Sequence, residues 1–183
     1  MEHGFISVAC GTPKLRLADC AYNAEQTFQM MRSAEKAGVK VLVLPELGLT
    51  GYSCGDLFYQ EALLREAEEG LKTVLAATRN LEVVTALGLP LRIKNKLYNS
   101  AAIIQKGKIL GLAPKTHLPN YGEFYEKRWF ATAPAEPVVG VGDPVQKGDL
   151  IARIPEGKLG ANLHASISGT VTAVDGGSIT IQS

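Results

Sequence analysis

Apolar residues in the first 131 positions form either short continuous runs or stretches with helical spacing. Runs at residues 5–9, 39–45 and 81–91 predict strands, and the run "VKVLVLP" suits a strand buried on both faces. The two intervening stretches predict helices, whose inward faces are Ala24, Phe28, Met31 and Ala34, and Leu64, Ala67, Leu71, Val74, Leu75 and Thr78.

Local signals mark the ends of these elements. Asn23 with Gln26 predicts a capping box at the first helix, and Gly38 predicts its end. The segment "YNSAAIIQKGKILGLAPK" predicts a hairpin that turns at Lys106–Gly107. The order strand, helix, strand, helix, strand and hairpin predicts an α/β fold in which helices cover a mixed sheet.

The last 52 residues have a different pattern. Short alternating runs are separated by Gly-Asp turns, and Asp175–Gly176 is a strong turn signal. All five Phe, all six Tyr and the one Trp lie at or before Phe130. We therefore predict two domains, 1–131 and 132–183, joined by a linker at about 131–137, and the second is all-β with about five short strands and no helix.

Charge and composition exclude several classes of function. The net charge of +1 gives no support to nucleic-acid or membrane-surface binding, and no apolar run is long enough to span a membrane. The first residues lack the features of a signal peptide, and the three cysteines have no metal-binding spacing. These features predict a cytoplasmic protein with neither a metal site nor a nucleic-acid partner.

Two charged residues follow predicted strands in the first domain. Glu46 comes directly after Pro45, and Lys115 comes after "ILGLAP". Functional groups of open α/β sheets gather at the carboxyl ends of strands, so the two side chains are candidates for a shared cleft. Solvated strand ends are the alternative interpretation.

The segments "LPELGLTGYSCGDLF" and "KTHLPNYGEFYEKRWF" resemble the nitrilase superfamily, and most of all the glutaminase domain of glutamine-dependent NAD synthetases. The resemblance implies part of an αββα sandwich and glutamine as the substrate. It implies that Glu46 is the general base and that Lys115 stabilises the tetrahedral intermediate. It also places Tyr52 and Tyr121 in the glutamine pocket and Glu123 at its rim.

The resemblance also implies a nucleophilic cysteine some tens of residues after the lysine, and this sequence has none there. We interpret Cys10, Cys20 and Cys54 as structural, with Cys54 the best substitute. The chain is therefore expected to be inactive. The family's ligase domain, with its ATP and NAD-precursor sites, and the second half of the sandwich are expected to be missing. An uncovered sheet would favour a homo-oligomer or a partner chain.

The tail resembles a different family. "APAEPVVGVGD" and "IPEGKLGANLHASISGTV" are similar to the barrel-sandwich hybrid, or lipoyl/biotinyl-like, segment found in one protein of the Rnf electron-transport complex and in the related cobalamin reductases of propanediol utilisation. That family binds flavin and iron–sulfur clusters, but the tail lacks the cysteines and the fingerprint they need, so we expect no cofactor in this chain. Lys158 lies near the position of a carrier's modified lysine, although an exposed turn is the favoured interpretation. His164 is interpreted as structural rather than as a metal ligand.

Three hypotheses follow from these two resemblances. The first is a glutamine amidohydrolase domain of an NAD synthetase-like protein. The second is a non-enzymatic barrel-sandwich module of an electron-transfer assembly. The third is a chimera of two unrelated fragments without an integrated function, joined near Ala131.

Overall fold

The three apolar runs of the first domain form parallel strands of one sheet. A computed structural model describes residues 4–93, 95–132, 136–153, 162–174 and 179–183 of the chain. Strand β1 (Val8–Cys10) pairs in parallel with β2 (Val41–Val43), which pairs in parallel with β3 (Val84–Ile93). The first strand thus begins three residues later than the apolar run at residues 5–9 suggests. By its contacts the chain divides into two units, Met1–Thr132 and Ala133–Ser183.

The predicted hairpin completes this sheet. Strand β4 (Lys96–Gln105) pairs antiparallel with both β3 and β5 (Lys108–Pro114), giving the order β1-β2-β3-β4-β5. The turn lies at Lys106–Gly107, where both residues have positive φ (50° and 68°), so the predicted hairpin is confirmed. Two antiparallel pairings in succession make β5 run in the same direction as β2 and β3, and the three strands therefore end at the same edge of the sheet.

Helices α1 (Cys20–Lys36) and α2 (Glu61–Ala77) cover one face of the sheet. Their apolar faces pack on strand residues that alternate toward them, as the two periodicities require. This helix–sheet core includes Ala24, Met31, Ala34, Leu71 and Val74 from the helices and Leu42, Leu87, Leu89, Ala102 and Ile104 from the strands.

The capping box predicted at Asn23 is wrong. Helix α1 begins earlier, and Asp19 is its N-cap, with the side chain accepting a hydrogen bond from the Tyr22 backbone N–H (3.1 Å). Asn23 is fully buried inside the helix. Its amide donates to the carbonyls of Arg16 (2.8 Å) and Leu49 (3.0 Å), so it ties two loops to the helix.

The opposite face of the sheet carries small and apolar side chains. Val43, Ala86, Ala101 and Ala113 line a cleft on this face, and Val8 and Val43 are 65% and 46% exposed. Among the described residues of this unit, both α-helices lie on the other face. An exposed apolar sheet face of this kind is what the sequence predicted.

The second unit consists of short strands. Its described residues form one sheet in the order β6-β8-β9 and another in the order β11-β10-β7. Residues 136–153, 162–174 and 179–183 show no pairing that closes these sheets into a barrel, and they contain six strands rather than about five. The strands are β6 (Glu136–Pro137), β7 (Pro144–Val145), β8 (Leu150–Arg153), β9 (Leu163–His164), β10 (Gly169–Val174) and β11 (Ile179–Gln182).

A small apolar core supports the second unit, formed by Val145, Ile151, Ala165 and Val171. His164 Nδ1 lies 2.8 Å from the Gly148 carbonyl oxygen, which makes the histidine part of a loop contact. Lys158 and the predicted Asp175–Gly176 turn lie outside the described residues.

Candidate active site

Glu46 lies in a sharp turn at the end of β2. Leu47, the next residue, has φ 52°, a left-handed conformation that is uncommon for a residue other than glycine. Strand β3 approaches this turn closely at Gly88, where a Cβ atom would lie 2.5 Å from both Leu47 N and Pro45 O. The turn is therefore held by backbone packing that only glycine at position 88 permits, and the Glu46 side chain stays partly exposed.

Lys115 follows β5 and reaches Glu46 across the sheet edge. Its Nζ lies 2.6 Å from Glu46 Oε1, and its backbone N–H donates to the Asn99 carbonyl (2.7 Å). Strands β2 and β5 are separated by β3 and β4, so the two residues do not belong to neighbouring strands. The common direction of β2 and β5 brings them to one edge, and the long lysine side chain spans the remaining distance. Their proximity is observed; their catalytic roles stay predictions.

Glu126 is the third charged member of the site, and the sequence analysis missed it. It begins the 3₁₀ turn Glu126–Arg128 and is only 2% exposed. Its carboxylate accepts hydrogen bonds from Lys115 Nζ (2.9 Å), Tyr52 Oη (2.7 Å) and, more weakly, Asn99 Nδ2 (3.4 Å). Asn99 also donates to Glu46, so this amide and Lys115 each contact both carboxylates.

The charges of the site are reflected in two pKa shifts. Burial alone would lower the pKa of Lys115, but hydrogen bonds to Glu46 and Glu126 outweigh it and raise the pKa above its ordinary value. Burial and the hydrogen bond to Glu126 also raise the pKa of Tyr52. At neutral pH the site therefore holds a protonated ammonium and a protonated phenol.

The other predicted pocket residues are placed less closely. Glu123 is exposed and lines a small cleft of about 140 Å³ that Tyr52 and Glu126 also border, which is consistent with a rim position. Tyr121 is 72% exposed and packs edge-on against Phe124, with ring centroids 5.9 Å apart. The structure therefore brings Tyr52 and Glu123 to the site but leaves Tyr121 outside both clefts that the site borders.

None of the three cysteines reaches the cleft of about 330 Å³ that contains Glu46 and Lys115. Cys10 is exposed at the end of β1, while burial and nearby acidic groups raise the pKa of Cys20 to about 12. Cys54 is buried, its thiol donates to the Thr50 carbonyl (3.1 Å), and burial raises its pKa. A buried, protonated thiol that is already hydrogen-bonded is a poor nucleophile.

The acidic pair does not form a cation site. Lys115 Nζ lies between Glu46 and Glu126, in the place that a metal ion would need, and no cluster of three metal-ligating side chains occurs in the described residues. Within the same residues, no helix is long and apolar enough to cross a membrane.

Comparison with known proteins identifies relatives of this arrangement. The carbon-nitrogen hydrolase family model matches residues 7–164, a range that continues past the predicted boundary near Ala131. The glutamine-dependent NAD(+) synthetase of Mycobacterium leprae is 40% identical over 143 residues, which are 78% of this chain and 21% of the relative. That of Thermotoga maritima is 38% identical over 127 residues, 69% of this chain and 22% of the relative. The chain therefore spans about a fifth of the length of these curated relatives.

Solved structures agree on the fold. A glutamine-dependent NAD(+) synthetase from Cytophaga hutchinsonii superposes with a TM-score of 0.66 at 27% identity, covering 79% of this chain and 26% of that one. An amidase from Nesterenkonia sp., at 18% identity and TM-score 0.60, shares the fold over 77% of this chain and 51% of its own. The predicted nitrilase-type α/β fold is thus confirmed. Because the family model matches well over half of the sequence, the chain belongs to the carbon–nitrogen hydrolase family.

Proposed function

We propose that the first unit is the glutamine amidohydrolase domain of an NAD synthetase-like protein. The observation that carries the proposal is the position of Lys115 Nζ, within 3 Å of the carboxylates of both Glu46 and Glu126. The similarity to the NAD(+) synthetases of Mycobacterium leprae and Thermotoga maritima supports glutamine as the amide substrate.

In this proposal Glu46 is the general base. It takes the proton of a cysteine thiol, and the thiolate attacks the side-chain amide carbon of glutamine. The carbonyl oxygen then carries the negative charge, which the Lys115 ammonium stabilises. The C–N bond breaks, and Glu46 returns the proton to the leaving nitrogen, so ammonia is released. Water, deprotonated by Glu46, hydrolyses the thioester to glutamate, and the leaving thiolate takes that proton back from Glu46.

We further propose that this chain does not complete the reaction by itself. Cys10, Cys20 and Cys54 all lie outside the cleft that holds Glu46, so none of them is placed to be the thiol in these steps. We expect no release of ammonia from glutamine above background. Ammonia release that is abolished by Glu46→Gln would overturn this expectation and leave the family assignment intact.

Binding can be tested separately from turnover. L-Glutamine added to the isotope-labelled chain is expected to cause saturable changes in the amide NMR signals around Glu46, Lys115 and Tyr52. D-Glutamine is the control for stereospecific recognition and should cause smaller changes. If millimolar L-glutamine leaves all these signals unchanged, glutamine is not the ligand of this site.

The tail supports a second proposal only through its sequence. A barrel-sandwich module of an electron-transfer protein stays a prediction that rests on the "KGD" and "SGTV" turns, and flavin or iron–sulfur absorbance in the purified protein would test it. Intact mass would detect an acyl or biotin adduct on Lys158, and we expect none. A chimeric origin is tested by genomic DNA across codons 126–136, where a continuous read from an isolate would establish a natural fusion.

A further inference from the structure

Asp56 fastens two surface loops of the first unit to each other. It lies in the 3₁₀ helix Gly55–Tyr59 and accepts hydrogen bonds from Arg128 Nε (2.8 Å), Arg128 Nη2 (2.8 Å) and Trp129 Nε1 (2.9 Å). A bidentate guanidinium–carboxylate pair fixes the orientation of its partners as well as their separation. The Arg128 and Trp129 hydrogen bonds also lower the pKa of Asp56 to about 2, so the pair stays ionised at neutral pH.

The two loops that Asp56 joins carry the polar partners Tyr52 and Glu126. Tyr52 lies four residues before Asp56, and Glu126 lies two residues before Arg128. Tyr52 Oη donates to Glu126 Oε1, the same oxygen that contacts Lys115 Nζ. A shift of the 3₁₀ turn Glu126–Arg128 would therefore change both contacts at once.

Apolar packing holds the same loops together without fixing their orientation. Phe58 is buried and packs edge-on against Phe130, with ring centroids 5.0 Å apart, and lies 5.8 Å from the ring of Trp129. Apolar burial is not directional, so it stabilises the contact and leaves rotation of the turn less restricted. The exposed ion pair adds little stability but supplies the missing direction.

We propose that Asp56, Arg128 and Trp129 form a positioning clamp that orients the Glu126 turn and thereby sets the contact between Glu126 and Lys115. The clamp residues act through Glu126 and touch none of the reacting groups, so they are positioning residues. The importance of the clamp for amide hydrolysis rests on the proposed function, whereas its effect on Lys115 does not.

The test is an NMR titration of the Lys115 side chain in the full chain, with the signal assigned by Lys115→Arg. Asp56→Ala removes a negative charge and Arg128→Ala removes a positive one. If the clamp positions Glu126, both variants loosen its contact with Lys115, and both lower the pKa of Lys115 by about 0.5. Direct electrostatics alone requires shifts of opposite sign.

Matched variants keep the result interpretable. Glu61→Gln and Arg92→Gln break another exposed ion pair of the same unit, and they should leave the Lys115 titration unchanged. Asp56→Asn keeps the shape of the side chain, so it remains informative if Asp56→Ala does not fold, and it should also lower the pKa of Lys115. Opposite shifts in the Asp56 and Arg128 variants, or no shift in either, would overturn the clamp. Neither outcome depends on whether glutamine binds.

Discussion

Lys115 Nζ lies 2.9 Å from Glu126 Oε1, and this carboxylate is almost completely buried while the lysine remains partly exposed. The lysine thus neutralises a carboxylate that has little access to water, and it also reaches Glu46 at the open side of the cleft. A cation held between a buried and an exposed carboxylate is fixed in position yet accessible to a substrate. This relationship makes the stability of the fold depend on the same lysine that the proposed reaction uses.

Replacing Lys115 by methionine is expected to destabilise the chain. The substitution leaves Glu126 buried without its cation, and removing one partner of a fully buried ion pair costs about 3–5 kcal/mol. Lys115 is 28% exposed in its side chain, so we expect a smaller loss of about 2 kcal/mol in the free energy of unfolding. Urea denaturation measures it, with Lys72→Met as the control, because the exposed Lys72–Glu69 pair should contribute nothing measurable. Equal effects of the two substitutions would contradict this account.

The alkaline limb of stability should depend on Tyr52. Burial and the Glu126 hydrogen bond raise the pKa of Tyr52 in the folded state, so the folded chain retains this proton at a pH where the unfolded chain has lost it. The stabilisation is complete below about pH 10 and declines as the pH rises further. Tyr52→Phe should therefore make the free energy of unfolding fall less steeply above pH 10. Tyr121→Phe, at an exposed phenol, should reproduce the wild-type slope.

The sequence predicts the features that depend on local chemistry or on strand direction. The Lys106–Gly107 turn follows from two residues that adopt positive φ in a hairpin. The shared position of Glu46 and Lys115 follows from strands that end at the same edge of a sheet, although the intervening strands β3 and β4 could not be ordered from the sequence.

Features that depend on distant segments could not be predicted. Asn23 has the sequence pattern of a cap, yet its partners are carbonyls of Arg16 and Leu49, which only the folded chain brings to it. Glu123 and Glu126 lie three residues apart in one loop and look equivalent in the sequence. Only the burial of the second, against Tyr52 and Lys115, distinguishes them.

Thiol reactivity should separate the cysteines by burial. Cys10 is exposed, whereas Cys20 and Cys54 are buried and burial raises the pKa of both. A disulfide reagent such as DTNB should therefore modify one thiol rapidly in the native chain and all three in denaturant. Cys10→Ser should remove the rapid phase. Rapid modification of Cys54 in the native chain would show a reactive thiol and would revive it as a nucleophile.

The exposed sheet face should promote association. Val8 and Val43 lie on the face opposite the helices, and contiguous apolar surface of this kind favours contact with another sheet. Sedimentation velocity of the wild-type chain should show concentration-dependent association, and Val8→Lys should reduce it. Thr73→Lys adds the same charge at an exposed position of α2 and should have less effect. A wild-type chain that sediments as a monomer at all concentrations would contradict the predicted oligomer.

Gly88 tests whether the turn at Glu46 is held by the approach of strand β3. A methyl group at this position would lie 2.5 Å from two backbone atoms of the turn, so Gly88→Ala must displace either the strand or the turn. We expect a loss of about 1–3 kcal/mol in the free energy of unfolding, as for other overpacked sites. A lower Lys115 pKa should accompany it, because Glu46 moves away from the ammonium. Gly111→Ala is the matched control, since a methyl group there meets no atom within 4 Å and should cost no stability. If both alanine variants unfold at the same urea concentration as the wild type, the turn has room for a side chain at position 88 and does not depend on glycine.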